Sequence, residues 1–365
     1  MTERSARVRR LLPAAGACVA ALLLAACASD STGTAITEPA TVTPTTAAPT
    51  TVTPTTVTPP TATPPTAAPA STVTVVPEST VAPAVRSPSP GCGQAPPELA
   101  PAEPSGDVPL SLTVGGVERT YRLAVPAGYD PAVAAPVVLA LHGAGSNAVQ
   151  QSIYSRLPER GAVRGYVVIT PDAIGGTWEG SGSGADDEFL TTLLDTIGER
   201  YCVDLDRVSA TGISLGSWEA TIVACTHPER FAAIALVAEE VAPQGCALPV
   251  VAFHGTADPV VPYGAGADPG VTVIANNGLP GVEINMPQWA TNAGCSSEPT
   301  VTRLEPDVAH WVYPGCPAGH AVEFYSIEHG GHTWPGATIE IGPTTGTIDA
   351  TEIILDWFDA HPRAG

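Results

Sequence analysis

Apolar and polar positions change their period several times along this 365-residue chain, and each change marks an element. Leu110, Leu112 and Val114 alternate with polar residues, Gly115-Gly116 interrupts them, and Val117, Tyr121, Leu123 and Val125 follow. Two such runs around a Gly-Gly pair predict a β-hairpin. Beyond it, Pro136–Leu141 is continuously apolar, as a strand buried on both faces must be. Tyr166–Thr170, Val208–Thr211, Phe231–Val237, Val250–Phe253 and Val322–Ile327 read the same way. Helical spacing falls between them. Phe189, Leu190, Leu193, Leu194 and Ile197 share one face after Asp186-Asp187, and Leu215–Thr226 is a helix-like run. Near the end, Asp349 and Glu352 predict a capping box ahead of Ile353, Ile354, Trp357 and Phe358. Strands alternating with helices predict an α/β domain with a mainly parallel sheet and helices on both faces.

The N-terminal quarter has a different character. Arg4, Arg7, Arg9 and Arg10 precede an uncharged apolar run over residues 11–26, the pattern of a signal peptide. The run is short for a membrane-spanning helix. It ends in Leu24-Ala25-Ala26-Cys27, which resembles the bacterial lipobox and implies lipidation of Cys27. The expected location is therefore outside the cell, on the membrane through this N-terminal lipid, or secreted. Arg9-Arg10 leaves the general and twin-arginine export routes both open. Residues 31–90 are almost wholly Thr, Pro, Ala, Val and Ser. They hold too little large apolar surface to offset the entropy of ordering and are expected to stay unfolded. As an extended polyproline-like tether they would reach about 190 Å, and their Thr/Pro richness suits O-glycosylation. The expected organisation is a signal over 1–26, a tether over 27–91 and one α/β domain over 92–365. The roughly 275 remaining residues suffice for a large core.

Six cysteines follow the export segment, namely Cys92, Cys202, Cys225, Cys246, Cys295 and Cys316. An even number in an exported chain predicts three disulfides. No CxxC or Cys/His cluster suggests zinc, and no metal or other cofactor is expected.

The chemistry is concentrated at the ends of the apolar runs. Gly212-Ile-Ser214-Leu-Gly216 fits G-x-S-x-G, following a strand and opening a helix, the context in which that turn lifts a serine hydroxyl into reach. His142-Gly-Ala-Gly-Ser-Asn147 ends an earlier buried strand. Its flexible backbone offers an oxyanion-hole amide, at Ala144, to join that of Leu215. Asp258 follows the Val250–Phe253 strand, where it would orient a histidine, though an aspartate before proline also serves in Asx turns. Asp172 is a rival carboxylate but precedes the serine. After the last strand stand His329 and His332, and the residues alone favour neither as general base. The order Ser…Asp…His is that of α/β-hydrolases and excludes the chymotrypsin and subtilisin orders.

These pieces resemble the secreted feruloyl esterase and polyhydroxybutyrate depolymerase family, which includes LpqC-like lipoproteins. The likeness rests on Leu141-His-Gly143, Asp186-Asp187 with Phe189-Leu190, Tyr201–Asp204, Arg207-Val208, Ala210–Ser214, Arg230–Ala233, His254–Tyr263 and Gly331–Gly336. It covers roughly residues 105–360. The resemblance implies an α/β-hydrolase fold with Ser214 as nucleophile, Asp258 as acid and His332 as base. It implies disulfides Cys225–Cys246 and Cys295–Cys316, which leaves Cys92 with Cys202. The elbow departs from the family's usual G-x-S-N-G-G at Leu215 and Ser217. Residues 264–285 look longer and richer in Gly and Asn than a minimal connection, as a lid or rim would. His142, Trp178, His329 and Trp334 are the candidates for pocket walls.

The expected reaction is hydrolysis of a feruloyl, acetyl or short hydroxyalkanoate ester through an acyl-enzyme, by a monomer. Because the base must be neutral, activity should fall below about pH 6.5, the ordinary histidine value. The formal charge of −21, with no lysine anywhere, fits this: an acidic surface repels nucleic acid and polyuronates but not a neutral ester. Two other readings are a peptidase of the prolyl-oligopeptidase type, for whose propeller there is no room, and a non-catalytic binding protein on a hydrolase scaffold.

Overall fold

The computed structural model describes residues 87–264 and 280–363. Among the described residues, ten strands form one sheet: β1 (Val108–Val114), β2 (Val117–Ala124), β3 (Ala135–Leu141), β4 (Val167–Pro171), β5 (Val203–Ile213), β6 (Ala233–Val237), β7 (Val250–Gly255), β8 (Thr300–Leu304), β9 (Val308–Val312) and β10 (Val322–Ile327). Six helices accompany them: α1 (Ala148–Ser155), α2 (Leu157–Val163), α3 (Ala185–Arg200), α4 (Leu215–Thr226), α5 (Val282–Asn292) and α6 (Ala350–Ala360). The strand order is β1-β2-β4-β3-β5-β6-β7-β10-β9-β8. The stretch from β4 to β10 is parallel, and antiparallel pairs close both edges.

The hairpin turns where the glycines stand: Gly115 and Gly116 both have positive φ (56° and 80°), the geometry that matches strand twist in a two-residue turn. Every residue of β3, β6 and β7 is buried, because helices cover both faces. Side-chain alternation divides the core in two. Leu139, Leu141, Leu236 and Ala252 face α3, α4 and α5, where they meet Phe189, Leu193, Val223 and Trp289. Val138, Ala140, Val237 and Phe253 face the other way, toward Leu157, Ile354, Trp357 and Phe358.

Several expectations are corrected here. Residues 87–91, expected within the tether, already belong to the fold: Ser89 N–H donates to Val203 O (2.9 Å) and Gly91 N–H to Gly198 O (2.8 Å). The Cys92–Cys202 disulfide anchors this segment to the start of β5. Cys225–Cys246 and Cys295–Cys316 are also bonded, so all three pairs are those expected. At α6, Asp349 accepts from the amides of Thr351 and Glu352, while the Glu352 carboxylate pairs with Arg160 and Arg164 instead of completing the box. Helices α1, α2 and α5 and strands β8 and β9 were not legible, being short or weakly periodic. The stretch 264–285 is in part the start of α5, capped by Gly281; residues 265–279, where the rest of the expected lid falls, lie outside the described residues.

Candidate active site

The serine elbow follows from close packing. Strand β5 ends at Ile213 and α4 begins at Leu215, so Ser214 alone must reverse the chain. It does so at φ 58° and ψ −128°, a region that costs a non-glycine residue about 1–3 kcal/mol. A Cβ on Gly212 would collide with the Gly216 carbonyl, and one on Gly216 with the carbonyls of Leu141 and His142. Both glycines are therefore steric necessities of the elbow, and Gly216 brings the serine turn against the loop that follows β3. On that loop, a Cβ at Gly143 would lie 3.4 Å from Ser214 Cβ. Ser217, where the resemblance expects glycine, is buried and stitches α4 to β6: its hydroxyl donates to Glu239 O (2.9 Å) and accepts from Val237 N–H (3.0 Å).

The aspartate and histidine meet for a similar reason. A Cβ on Gly255 would strike Gly330 and Gly331, so the loops after β7 and β10 are in direct backbone contact. They are joined by Ala257 N–H to Gly330 O (2.9 Å) and Thr256 N–H to Ile327 O (2.8 Å). This sets Asp258 Oδ2 2.7 Å from His332 Nδ1. The other oxygen, Oδ1, accepts the amides of Val260 (2.7 Å) and Val261 (2.9 Å). Asp258 is thus both the turn-forming aspartate and the histidine's partner. Burial alone would raise its pKa, but bonds from His254 and His332 outweigh that and hold the carboxyl well below the ordinary aspartate range.

Ser214 and His332 line one cavity of about 470 Å³, together with Gly143, Ala144, Ile213 and Tyr154. Its outer wall is Ile153 of α1 with Ile339 and Ile341, all three well exposed. Leu215 opens α4, where the first amides have no intrahelical partner. In the β3 loop, the Gly145 and Ser146 amides bond Gly176 O and Gly143 O, while Ala144 faces the cavity.

The four expected pocket walls are elsewhere. His142 is buried and bridges two loops as a neutral ring: Nδ1 donates to Gly143 O (2.8 Å) and Nε2 accepts from Ala173 N–H (3.1 Å). Burial pulls its pKa down, in keeping with that role. Trp178 is buried behind it, donating to His142 O (2.8 Å). Trp334 is buried under α6, with Nε1–H on Thr351 Oγ1 (3.0 Å). The side chain of His329 is 89% exposed and points away beside Glu328. The buried rings of His142, Trp178 and Trp334 are scaffold for the loops. The rival Asp172 ties α1 to β2, accepting from Ala148 N–H (2.7 Å) and Thr120 Oγ1–H (2.8 Å). Sequence reasoning missed the aliphatic rim, since isolated isoleucines carry no motif. It also left Glu240 and His254 without roles.

A mostly parallel sheet with helices on both faces, a strained serine between strand and helix, and an Asp-His pair on later loops define an α/β-hydrolase. The profile of the esterase family, described as "Putative esterase", matches residues 113–315, and the chain belongs to that family. Feruloyl esterase C of Emericella nidulans is 26% identical over 267 residues, which span 70% of this chain and 86% of that protein. Feruloyl esterase D of Neurospora crassa is 26% identical over 166 residues, 42% of this chain and 54% of that protein, so the match spans about half the Neurospora protein. Acetyl xylan esterase from Aspergillus awamori shares the fold at a TM-score of 0.50 and 16% identity, covering 69% of this chain and 98% of its own.

Proposed function

We propose that this chain is an exported serine esterase whose Ser214, Asp258 and His332 form a catalytic triad. The observation that carries the proposal is the strained Ser214 sharing one cavity with His332, whose Nδ1 is held 2.7 Å from a buried carboxylate. Asp258 fixes the tautomer that leaves Nε2 free to take the serine proton. Ser214 Oγ then attacks the ester carbonyl, and the Leu215 and Ala144 amides receive the oxyanion. His332 returns the proton to the departing alcohol, and water hydrolyses the acyl-enzyme by the same steps.

The cavity lining is mostly apolar, with Ser146, Gln150, Gln151 and Tyr154 as its uncharged polar members beside Ser214 and no Asp, Glu, Lys or Arg, so the proposed substrates carry an uncharged acyl group. Feruloyl esters head the list because the relatives are named for them; acetyl and short hydroxyalkanoate esters follow. Three disulfides suit an oxidising compartment, in keeping with export and with anchoring through Cys27. The test is hydrolysis of p-nitrophenyl acetate, ethyl ferulate and hydroxybutyrate oligomers by wild type and Ser214→Ala. A loss of about a thousandfold or more is expected on whichever ester is turned over. Undiminished hydrolysis by Ser214→Ala would refute the triad.

A further inference from the structure

Behind the proposed triad lies a second pair of ionisable groups that the mechanism does not use. His254, at the end of β7, has a fully buried side chain. Its Nδ1 is 2.6 Å from Glu240 Oε2, and its Nε2 is 3.1 Å from Val261 O and 3.3 Å from Asp258 Oδ2. Both ring nitrogens therefore face oxygens that only accept. Glu240 is buried as well: its Oε1 accepts from Asn285 Nδ2–H (3.1 Å), and its backbone carbonyl accepts from Trp289 Nε1–H (2.9 Å). Two more groups complete the surroundings. Tyr263 lies edge-on to the His254 ring at 5.5 Å with its hydroxyl on Ser326, and His332 lies beyond Asp258.

Asp258 is thereby held at both oxygens: Oδ1 accepts two amides, and Oδ2 accepts from His332 Nδ1 with the His254 ring nitrogen 3.3 Å away. A carboxylate so held has one orientation available. We propose that Glu240 and His254 are positioning residues, a buried ion pair whose cationic end holds Asp258 on His332 and offsets part of its charge. Burial would strip the proton from His254, but the charge of Glu240 and the bonds to both carboxylates outweigh it and push the pKa up to about 10. The pair is neutral as a whole, with its positive end toward Asp258. It therefore weakens the field of Asp258 at His332.

This inference rests on the triad reading, and the test separates the two. In Glu240→Gln/His254→Gln the net charge is unchanged and no lone buried charge is created, so the dipole is removed without a change of net charge. The acid limb of kcat/KM for p-nitrophenyl acetate should then move upward by about half a pH unit. An unmoved limb would overturn the proposal, whether or not kcat falls, because a merely structural role lowers the rate without displacing the pH profile. A downward shift would overturn it too. Should the double variant not fold, 15N NMR of histidine-labelled wild type decides. A doubly protonated His254 at pH 8 supports the pair, and a neutral ring refutes it. If Ser214→Ala retains activity, the triad has failed; if Ser214→Ala is inactive but the limb does not move, only the positioning pair has.

Discussion

Replacing Asp258 by Asn asks the sharpest question of the site, because it changes one oxygen into one NH2 and leaves the volume alone. In the wild type the carboxylate accepts three donors, the Val260 and Val261 amides on Oδ1 and His332 Nδ1 on Oδ2, with His254 Nε2 3.3 Å from Oδ2. Asparagine can satisfy only two of them. If its oxygen stays on the amides, its NH2 faces two imidazole N–H groups at positions 2.7 and 3.3 Å away, donor against donor. His332 relieves its clash by moving its proton to Nε2, and Nδ1 then accepts from the new amide. That tautomer presents an N–H to Ser214 and cannot take the serine proton. The expected loss is about ten-thousandfold in kcat, as for the same change in other Ser-His-Asp sites. At about 1.4 kcal/mol per decade, this is about 5 kcal/mol of transition-state stabilisation. The assay is kcat and KM on p-nitrophenyl acetate, with circular dichroism confirming the fold. A variant that folds and stays within tenfold of wild type would refute the assignment of Asp258 and, with it, the account of how His332 is held.

Two further outcomes follow from the packing. Gly216→Ala places a methyl against the carbonyls of Leu141 and His142, which are backbone and cannot swing aside. It should lower Tm by several degrees or prevent folding, and a wild-type melting curve would contradict the steric account. Glu219 of α4 is wholly buried, with one oxygen on Gly180 N–H (2.9 Å) and the other without a partner among the described residues. Burial, then the charge of Asp186, pushes its pKa up to about 8. A carboxyl raised in the folded state binds its proton more tightly there than when unfolded. Stability is therefore full below the unfolded value near pH 4.5 and declines as pH rises toward 8. Glu219→Gln should match wild type near pH 5 and melt a few degrees higher at pH 8.5. Equal melting temperatures at both pH values would show that the buried carboxyl does not titrate in this range.

Much was legible because it depends on local backbone requirements. The apolar runs located β3, β6 and β7, since a strand buried on both faces has no polar side to show. Gly212 and Gly216 pointed to the serine elbow because no other residue fits beside those carbonyls. The same logic failed for side chains whose role depends on distant partners. Trp178 and Trp334 stood as candidate pocket walls, yet each spends its N–H on scaffold. His329 and His332 could not be told apart by neighbours in sequence. Two glycines of loop separate a side chain exposed beside Glu328 from one held on Asp258.

By itself, then, the order of residues determined the layered α/β class, the strand ends where chemistry gathers, and the succession of serine, aspartate and histidine. Each of these rests on short-range periodicity or on the freedom of a few glycines. Only the folded chain decided which histidine meets Asp258, that three isoleucines rim the cavity, and that Glu240 and His254 stand behind the carboxylate. Those contacts join segments far apart in sequence across adjoining strands, and the strand order of the sheet brings them together.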